Sequence, residues 1–412
     1  MYIQRTLSNG IRVVAEHVPY IRSVSVGVWV GNGSRYETAE ENGISHFIEH
    51  MVFKGTKTRT AREIALEMDS VGGQLNAFTT RECTCFYARV IDEHADTALM
   101  ILSDMIFSPL LSAEDMELER MVVSEEIAMY EDSPEDVVYD LFDAAVWGDS
   151  PMGRPILGSN QTLARITPDS MRRYMRSHYT NKNIVIAVSG SFSEELFDKL
   201  EARFGTQAIA DNEVQCTPAV YTPKDRVLWR DFEQVQLVYG FNGIDINDDA
   251  VYSLLVFNNV FGSGMSSRLF QNIREKYGLA YSIGAGHSAY IGAGTFDISA
   301  AVSPENTERV TELVMNEVRR IRTEKLTDDE IDRARIQLKG NYLLSNEYAD
   351  ARMQAIGRAA LLGRLRTSEE IVRRIDAVDR DSVAEIIDRV LDPSTMCVVA
   401  TGHVDNIGKI SL

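Results

Sequence analysis

The sequence predicts an α+β protein built from two tandem copies of one domain, each a mostly antiparallel β-sheet packed with α-helices. Two observations carry this. First, LARITPDSMRRYMRSHYTNKNIVIAVSGSF (163–192) aligns without a gap onto IDAVDRDSVAEIIDRVLDPSTMCVVATGHV (375–404), at an offset of 212 in a chain of 412 residues. Both segments open at an Asp-Ser helix start, Asp169-Ser170 and Asp381-Ser382, and both close a buried strand on glycine, Gly190 and Gly402. An offset near half the chain length indicates duplication of a whole domain. Second, short alternating strand runs come in twos and threes and are followed by helical runs, without a regular β-α-β alternation.

The elements follow in order. MYIQRTLSNGIRVVAEHV reaches a strand almost at once, and GISHFIEHMVF is an apolar helical run. EMDSVGGQLNAFTTRECTCFYARVIDEHADTALMILSDMI reads as helix end, strand, strand, helix. YSIGAGHSAYIGAGTFDISAAVSPENTERVTELVMNEVRRI reads the same way in the second half. Between the halves, GTQAIADNEVQCTPAVYTPKDR (205–226) has two prolines, few large apolar residues and no periodicity. The expected division is a domain at 1–212, a linker at 213–224 and a second domain at 225–412.

Composition narrows the function classes. With 44% hydrophobic and 25% charged residues the chain is an ordinary globular one. A formal net charge of −19 argues against a nucleic-acid partner, which needs a basic surface. Cys83, Cys85, Cys216 and Cys397 form neither a C-x-x-C zinc pair nor a disulfide framework, so they are expected to be reduced thiols. No apolar run approaches the roughly 20 residues of a spanning helix, and the opening residues lack a charged stretch followed by an apolar one, so a signal peptide is not expected in them. A cytoplasmic location is expected, with a mature organellar form as the alternative. FGSGMSSR is not a phosphate loop, since it lacks the G-K-[ST] ending.

The chemistry sits in HFIEH. Residues i and i+4 share one helix face, so His46 and His50 can bind a single ion, with Glu49 beside them. The flanking Phe47, Ile48, Met51, Val52 and Phe53 are expected to bury the other face. The order is H-x-x-E-H, the inverse of H-E-x-x-H. A catalytic zinc site uses three protein ligands. The third is sought in LSAEDMELERMVVSEEIAMYEDSPEDVVYDLF (111–142), where Glu119 and Glu126 lie seven apart on one helical face. Spacing alone leaves Glu125 and Glu126 as alternatives. At the offset of 212, Glu119 falls on Ile331 and Glu126 on Leu338, and no H-x-x-E-H occurs in the second half. The second copy therefore keeps the scaffold without a metal site.

GISHFIEHMVFKGT, QLNAFTTRE and ERMVVSEEI together resemble the M16 family of inverzincin peptidases, over essentially the whole chain. The length resembles its short two-domain branch, which includes the processing peptidases. The resemblance implies a LuxS/MPP-like metallohydrolase fold and a zinc endopeptidase acting on extended or presequence-like peptides. It implies one zinc ion per chain held by His46, His50 and Glu126, with Glu49 as general base on a water. Glu126 stands 76 positions after His50, the family's interval, which selects it over Glu125. Glu119 matches a second carboxylate near the site. In SRLFQNIREKYGLAYSIGAG, Arg274 and Tyr281 match an Arg–Tyr pair implicated in holding the substrate carbonyl. Asn76, Ala77 and Phe78 match a segment that takes the peptide as an added β-strand, and Phe53 matches a pocket residue. The family further implies a homodimer or a heterodimer with an inactive paralogue. Its other class, non-catalytic core subunits with degraded zinc motifs, is the alternative; the intact motifs here favour the peptidase.

Overall fold

The computed structural model describes residues 2–404. Its strands are β1 (Ile3–Thr6), β2 (Arg12–His17), β3 (Ser23–Val30), β4 (Gln74–Thr79), β5 (Thr84–Ile91), β6 (Ile184–Gly190), β7 (Arg226–Trp229), β8 (Val235–Asn242), β9 (Ala280–Tyr290), β10 (Ala293–Val302) and β11 (Cys397–Gly402). They form a six-stranded sheet in the order β1-β2-β6-β3-β5-β4 and a five-stranded sheet in the order β7-β11-β8-β10-β9. All neighbours are antiparallel except β2–β6 in the first sheet and β7–β11 in the second.

The duplication is visible in this topology. Strands β3 and β8 are 212 residues apart at both ends. Each lies between its sheet's parallel pair and its terminal hairpin. The helices Pro168–His178 and Arg380–Val390 start on equivalent capping boxes, Thr167 with Ser170 and Asp379 with Ser382. The Asp-Ser pairs thus mark the first turn, and the cap itself lies two residues before each pair.

Alternation along the strands sorts side chains between two faces. Val24, Val26, Val28 and Val30 of β3 join Ile184, Ile186 and Val188 of β6 in the main core of the first sheet. Trp29 of β3, with Val14, Cys85, Val185 and Ala187, points to the opposite face, where Met353 and Ile356 cover it. Those two residues belong to the helix Ala349–Leu361, far along the chain. Close approach of that helix depends on glycine: a Cβ at Gly27 would lie 2.4 Å from Met353 Sδ, and one at Gly357 would lie 2.2 Å from Trp29 Nε1.

The second sheet repeats the plan. Val235, Leu237, Tyr239 and Phe241 of β8 enter its main core. Val238, Cys397 and Val399 face Val138, Phe142 and Trp147 of the helix Pro134–Trp147. Each compact unit is therefore discontinuous in sequence. Within the described residues, one takes the chain up to Ile127, then Pro155–Thr217 and Leu343–Thr367. The other takes Ala128–Arg154, Pro218–Tyr342 and the chain from Ser368 on. The four cysteines are free thiols.

Candidate metal centre

The helix Ile44–Met51 turns Ile44, Phe47, Ile48 and Met51 into the first core, each with no exposed surface. Val52 is equally buried, and Phe53 packs half-buried against the same core. A 3.6-residue period then sends His46, Glu49 and His50 to the other side. There they meet the helix Ala113–Asp132, which buries Met116, Glu119, Val123 and Ile127.

His46, His50 and Glu126 each bring one ligand atom within 4.8 Å of the others. His46 Nε2 lies 3.6 Å from Glu126 Oε2, and His50 Nε2 lies 3.4 Å from the same oxygen. Zinc–ligand bonds near 2 Å in a tetrahedron put neighbouring ligand atoms about 3.3 Å apart. The separations and the donor set, two imidazoles and a carboxylate, therefore fit a zinc-sized divalent cation. Glu125, the neighbour that spacing could not separate, is exposed.

The surroundings orient these groups. Glu119, only 5% exposed, places Oε1 2.9 Å from His50 Nδ1, and its other oxygen is paired with Lys54 Nζ. This is the positive partner that a buried carboxylate requires. Glu49 Oε2 accepts a hydrogen bond from Thr79 Oγ1 at 2.5 Å, from the end of β4. Thr79 Oγ1 is 3.3 Å from Thr84 Oγ1, which donates to the Asn32 carbonyl at 3.0 Å. His46 differs from His50: its Nδ1 is buried without a hydrogen-bond partner.

Electrostatics separates the two imidazoles. Burial, then the neighbouring His50, lowers the His46 pKa to about 4, so this ring is neutral near pH 7. Burial also pulls His50 down, but its bonds to Glu126 and Glu119 outweigh that and raise it. The same His50 bond, with His46 nearby, holds Glu126 below the ordinary carboxylate value although burial opposes it. Glu49 is raised, chiefly by burial, with the Thr79 bond opposing the shift. A carboxylate made more basic in this way suits proton abstraction.

The other sequence-predicted residues are placed as follows. Asn76, Ala77 and Phe78 lie on β4, which pairs with β5 on one side and forms the edge of its sheet. Asn76 is exposed, while Phe78 stacks edge-on against Trp29 at 5.6 Å. Arg274 and Tyr281 belong to the second unit. There Arg274 lies over the Phe270 ring at 4.8 Å, and Tyr281, near the start of β9, is 71% exposed. Where the first unit has Glu119 and Glu126, the second has buried Ile331 and half-buried Leu338, both part of its apolar packing.

Sequence reasoning missed three contributors. Lys54 stands four residues after His50, a helical spacing that could have flagged it. Thr79 lies inside the quoted QLNAFTTRE run, but only pairing of β4 with β5 shows its reach. Glu37 sits in an irregular segment without any signal, yet its buried carboxylate accepts the Gly43 and Ser45 N–H groups at 2.8 and 2.9 Å, under the metal helix.

No helix among the described residues is long and apolar enough to cross a membrane. Residues 12–160 match the family model "Insulinase (Peptidase family M16)", and residues 165–338 match "Peptidase M16 inactive domain". The chain is 41% identical over 379 residues to "Uncharacterized zinc protease YmxG" of Bacillus subtilis, covering 92% of this chain and 93% of the relative. It is 36% identical over 395 residues to an "Uncharacterized zinc protease" of Rickettsia felis, covering 95% and 96%. Among solved structures, a protease from Helicobacter pylori superposes with a TM-score of 0.90 at 20% identity, covering 98% of this chain and 99% of that one. A structure from Pseudomonas fluorescens titled as a peptidase M16 inactive domain gives 0.89 at 18% identity, with 98% of each chain covered. With a buried His-x-x-Glu-His helix facing a distal glutamate, and with two family models spanning most of its length, this chain belongs to peptidase family M16.

Proposed function

We propose that this chain is a zinc-dependent endopeptidase that hydrolyses extended peptides. The observation that carries the reading is the convergence of His46, His50 and Glu126, with Glu49 on the same helix face. The zinc-protease names of its relatives support it. His46, His50 and Glu126 would hold one ion per chain. When bound, that ion supplies a Lewis acid for the peptide carbonyl and acidifies a water.

The protein's own groups do the rest. Glu49 takes the proton from the attacking water and delivers it to the leaving amine. Thr79 holds Glu49, and Glu119 holds the ring of His50. The open edge of β4, at Asn76, Ala77 and Phe78, supports binding of the peptide as an added strand, with main-chain hydrogen bonds giving sequence-tolerant affinity. Phe53 is assigned to a side-chain pocket, and Arg274 and Tyr281 to substrate contact, on the family resemblance of their spacing. A dimer, with itself or with an inactive paralogue, is the proposed assembly. Basic presequence-like peptides suit the charge of −19.

The test is product mass spectrometry on a peptide library, run with zinc and with a chelator, alongside metal analysis of the dialysed protein. Chelator-sensitive internal cleavage and one metal per chain are expected. Metal-free protein that still cleaves, or metal-loaded protein that cleaves nothing, would overturn the reading.

A further inference from the structure

The metal helix cannot cap itself. Its N-cap is Gly43, at φ 94°, a left-handed conformation that favours glycine and leaves no side chain to accept the first N–H groups. The first turn carries no acidic residue either. The Ile44 N–H donates to the Glu41 carbonyl at 2.9 Å, but Ser45 is buried, so water cannot satisfy its N–H. Eight residues make about two turns, so a shift at the start is transmitted directly to His46, Glu49 and His50.

The missing acceptor comes from Glu37, which is 2% exposed and follows the short helix Ser34–Tyr36. Its Oε2 accepts the Gly43 N–H at 2.8 Å and the Asn42 side-chain amide at 3.1 Å. Its Oε1 accepts the Ser45 N–H at 2.9 Å. Asn42 also donates to the Pro155 carbonyl at 2.9 Å, tying the same loop to a second segment. Behind Ser45, its hydroxyl lies 3.2 Å from Tyr174 Oη, and that phenol lies 3.1 Å from Asn32 Nδ2. Both carboxylate oxygens of Glu37 thus face N–H donors at the positive end of the helix.

We propose that Glu37 is a positioning residue for the metal centre: clamped across Gly43 and Ser45, its carboxylate sets the height and rotation at which His46 and His50 meet Glu126. Glu37 touches neither the ion nor the substrate. This assignment rests on the proposed metal-dependent peptidase reading and names a determinant of the same site.

The test uses the full-length chain carrying Glu37→Gln, which preserves shape but turns an NH₂ group toward N–H donors. Zinc affinity of the stripped protein, read by competition with a chromophoric chelator, should weaken about tenfold, the scale seen when an orienting partner is removed. Steady-state kcat should fall while KM for the peptide stays within about twofold, because β4 is untouched. Amide exchange at Gly43 and Ser45 should accelerate in the metal-free variant. If Glu37→Gln fails to fold, Glu37→Asp, one methylene too short to reach both N–H groups, should show the same split at smaller amplitude. A folded variant with lower Tm but unchanged zinc affinity and kcat would overturn the assignment and leave Glu37 a purely structural residue. Wild-type protein that neither binds zinc nor cleaves peptide would overturn the underlying reading and this inference together. Zinc held equally by wild type and variant would remove the Glu37 assignment alone.

Discussion

Glu119 Oε1 lies 2.9 Å from His50 Nδ1, while Nε2 of the same ring faces Glu126 at 3.4 Å. One imidazole therefore has a carboxylate at each nitrogen, and a neutral ring that donates from Nδ1 to Glu119 would keep the Nε2 lone pair for the Glu126 side. Glu119→Gln should weaken zinc binding about 10–100-fold with little change in fold. Chelator competition at constant pH measures this. Lys54→Met, which removes the cation paired with Glu119, should act in the same direction.

Glu49→Gln should retain zinc and peptide binding and lose cleavage by about 10²–10⁴-fold, the range of a general acid–base contribution. Metal content after dialysis and turnover of a fluorogenic peptide check the two halves. Substantial residual turnover in a clean preparation would remove Glu49 from the role of base.

Thr79→Val deletes a bond that lowers the pKa of Glu49. The anion loses a donor, so its pKa should rise further. The acid limb of the kcat/KM profile, which reports the free base, should then move to higher pH. An unmoved limb would show that Glu49 does not control it.

In the metal-free protein His50 titrates above the ordinary imidazole value of 6.5. A raised folded pKa means stabilisation complete below the unfolded pKa and lost as pH rises through the folded value. The Tm of stripped wild type, relative to stripped His50→Ala, should therefore decline through that window. Zinc affinity should climb over the same window, as protons cease to compete for the ring. A Tm difference that is flat with pH would contradict the raised value.

Gly357→Ala tests packing away from the chemistry. Helix propensity alone favours alanine by about 1 kcal/mol. The added methyl would lie 2.2 Å from Trp29 Nε1, in a layer where Trp29 is buried. Overpacking costs about 1–3 kcal/mol, so the net effect should be destabilising. Urea titration of the metal-free protein reads the sign directly.

The site was legible in proportion to how local it is. His46, Glu49 and His50 share one helical turn, so sequence spacing already places them on one face. Glu126 needed a second helix, and spacing left it level with Glu125 until the resemblance separated them. Thr79 and Glu37 reach the site through strand pairing and a buried loop carboxylate, neither of which has a periodic signature. The fold shows the same limit. Paired strands, the offset of 212 and helix starts near Asp169-Ser170 and Asp381-Ser382 follow from local pattern, whereas the caps themselves, Thr167 and Asp379, lie two residues earlier. An apolar stripe on Ala349–Leu361 shows that this helix must be covered, but not which sheet covers it.

That helix also bears on how the protein is made. Met353 and Ile356 leave the ribosome after nearly all of the second sheet's strands, yet they shield Val14, Trp29, Val185 and Ala187 in the first half of the chain. Until then, a nascent chain presents a naked apolar sheet face, a target for chaperones and for aggregation. Cutting the gene between the two halves would leave each product lacking a helix that only the other encodes.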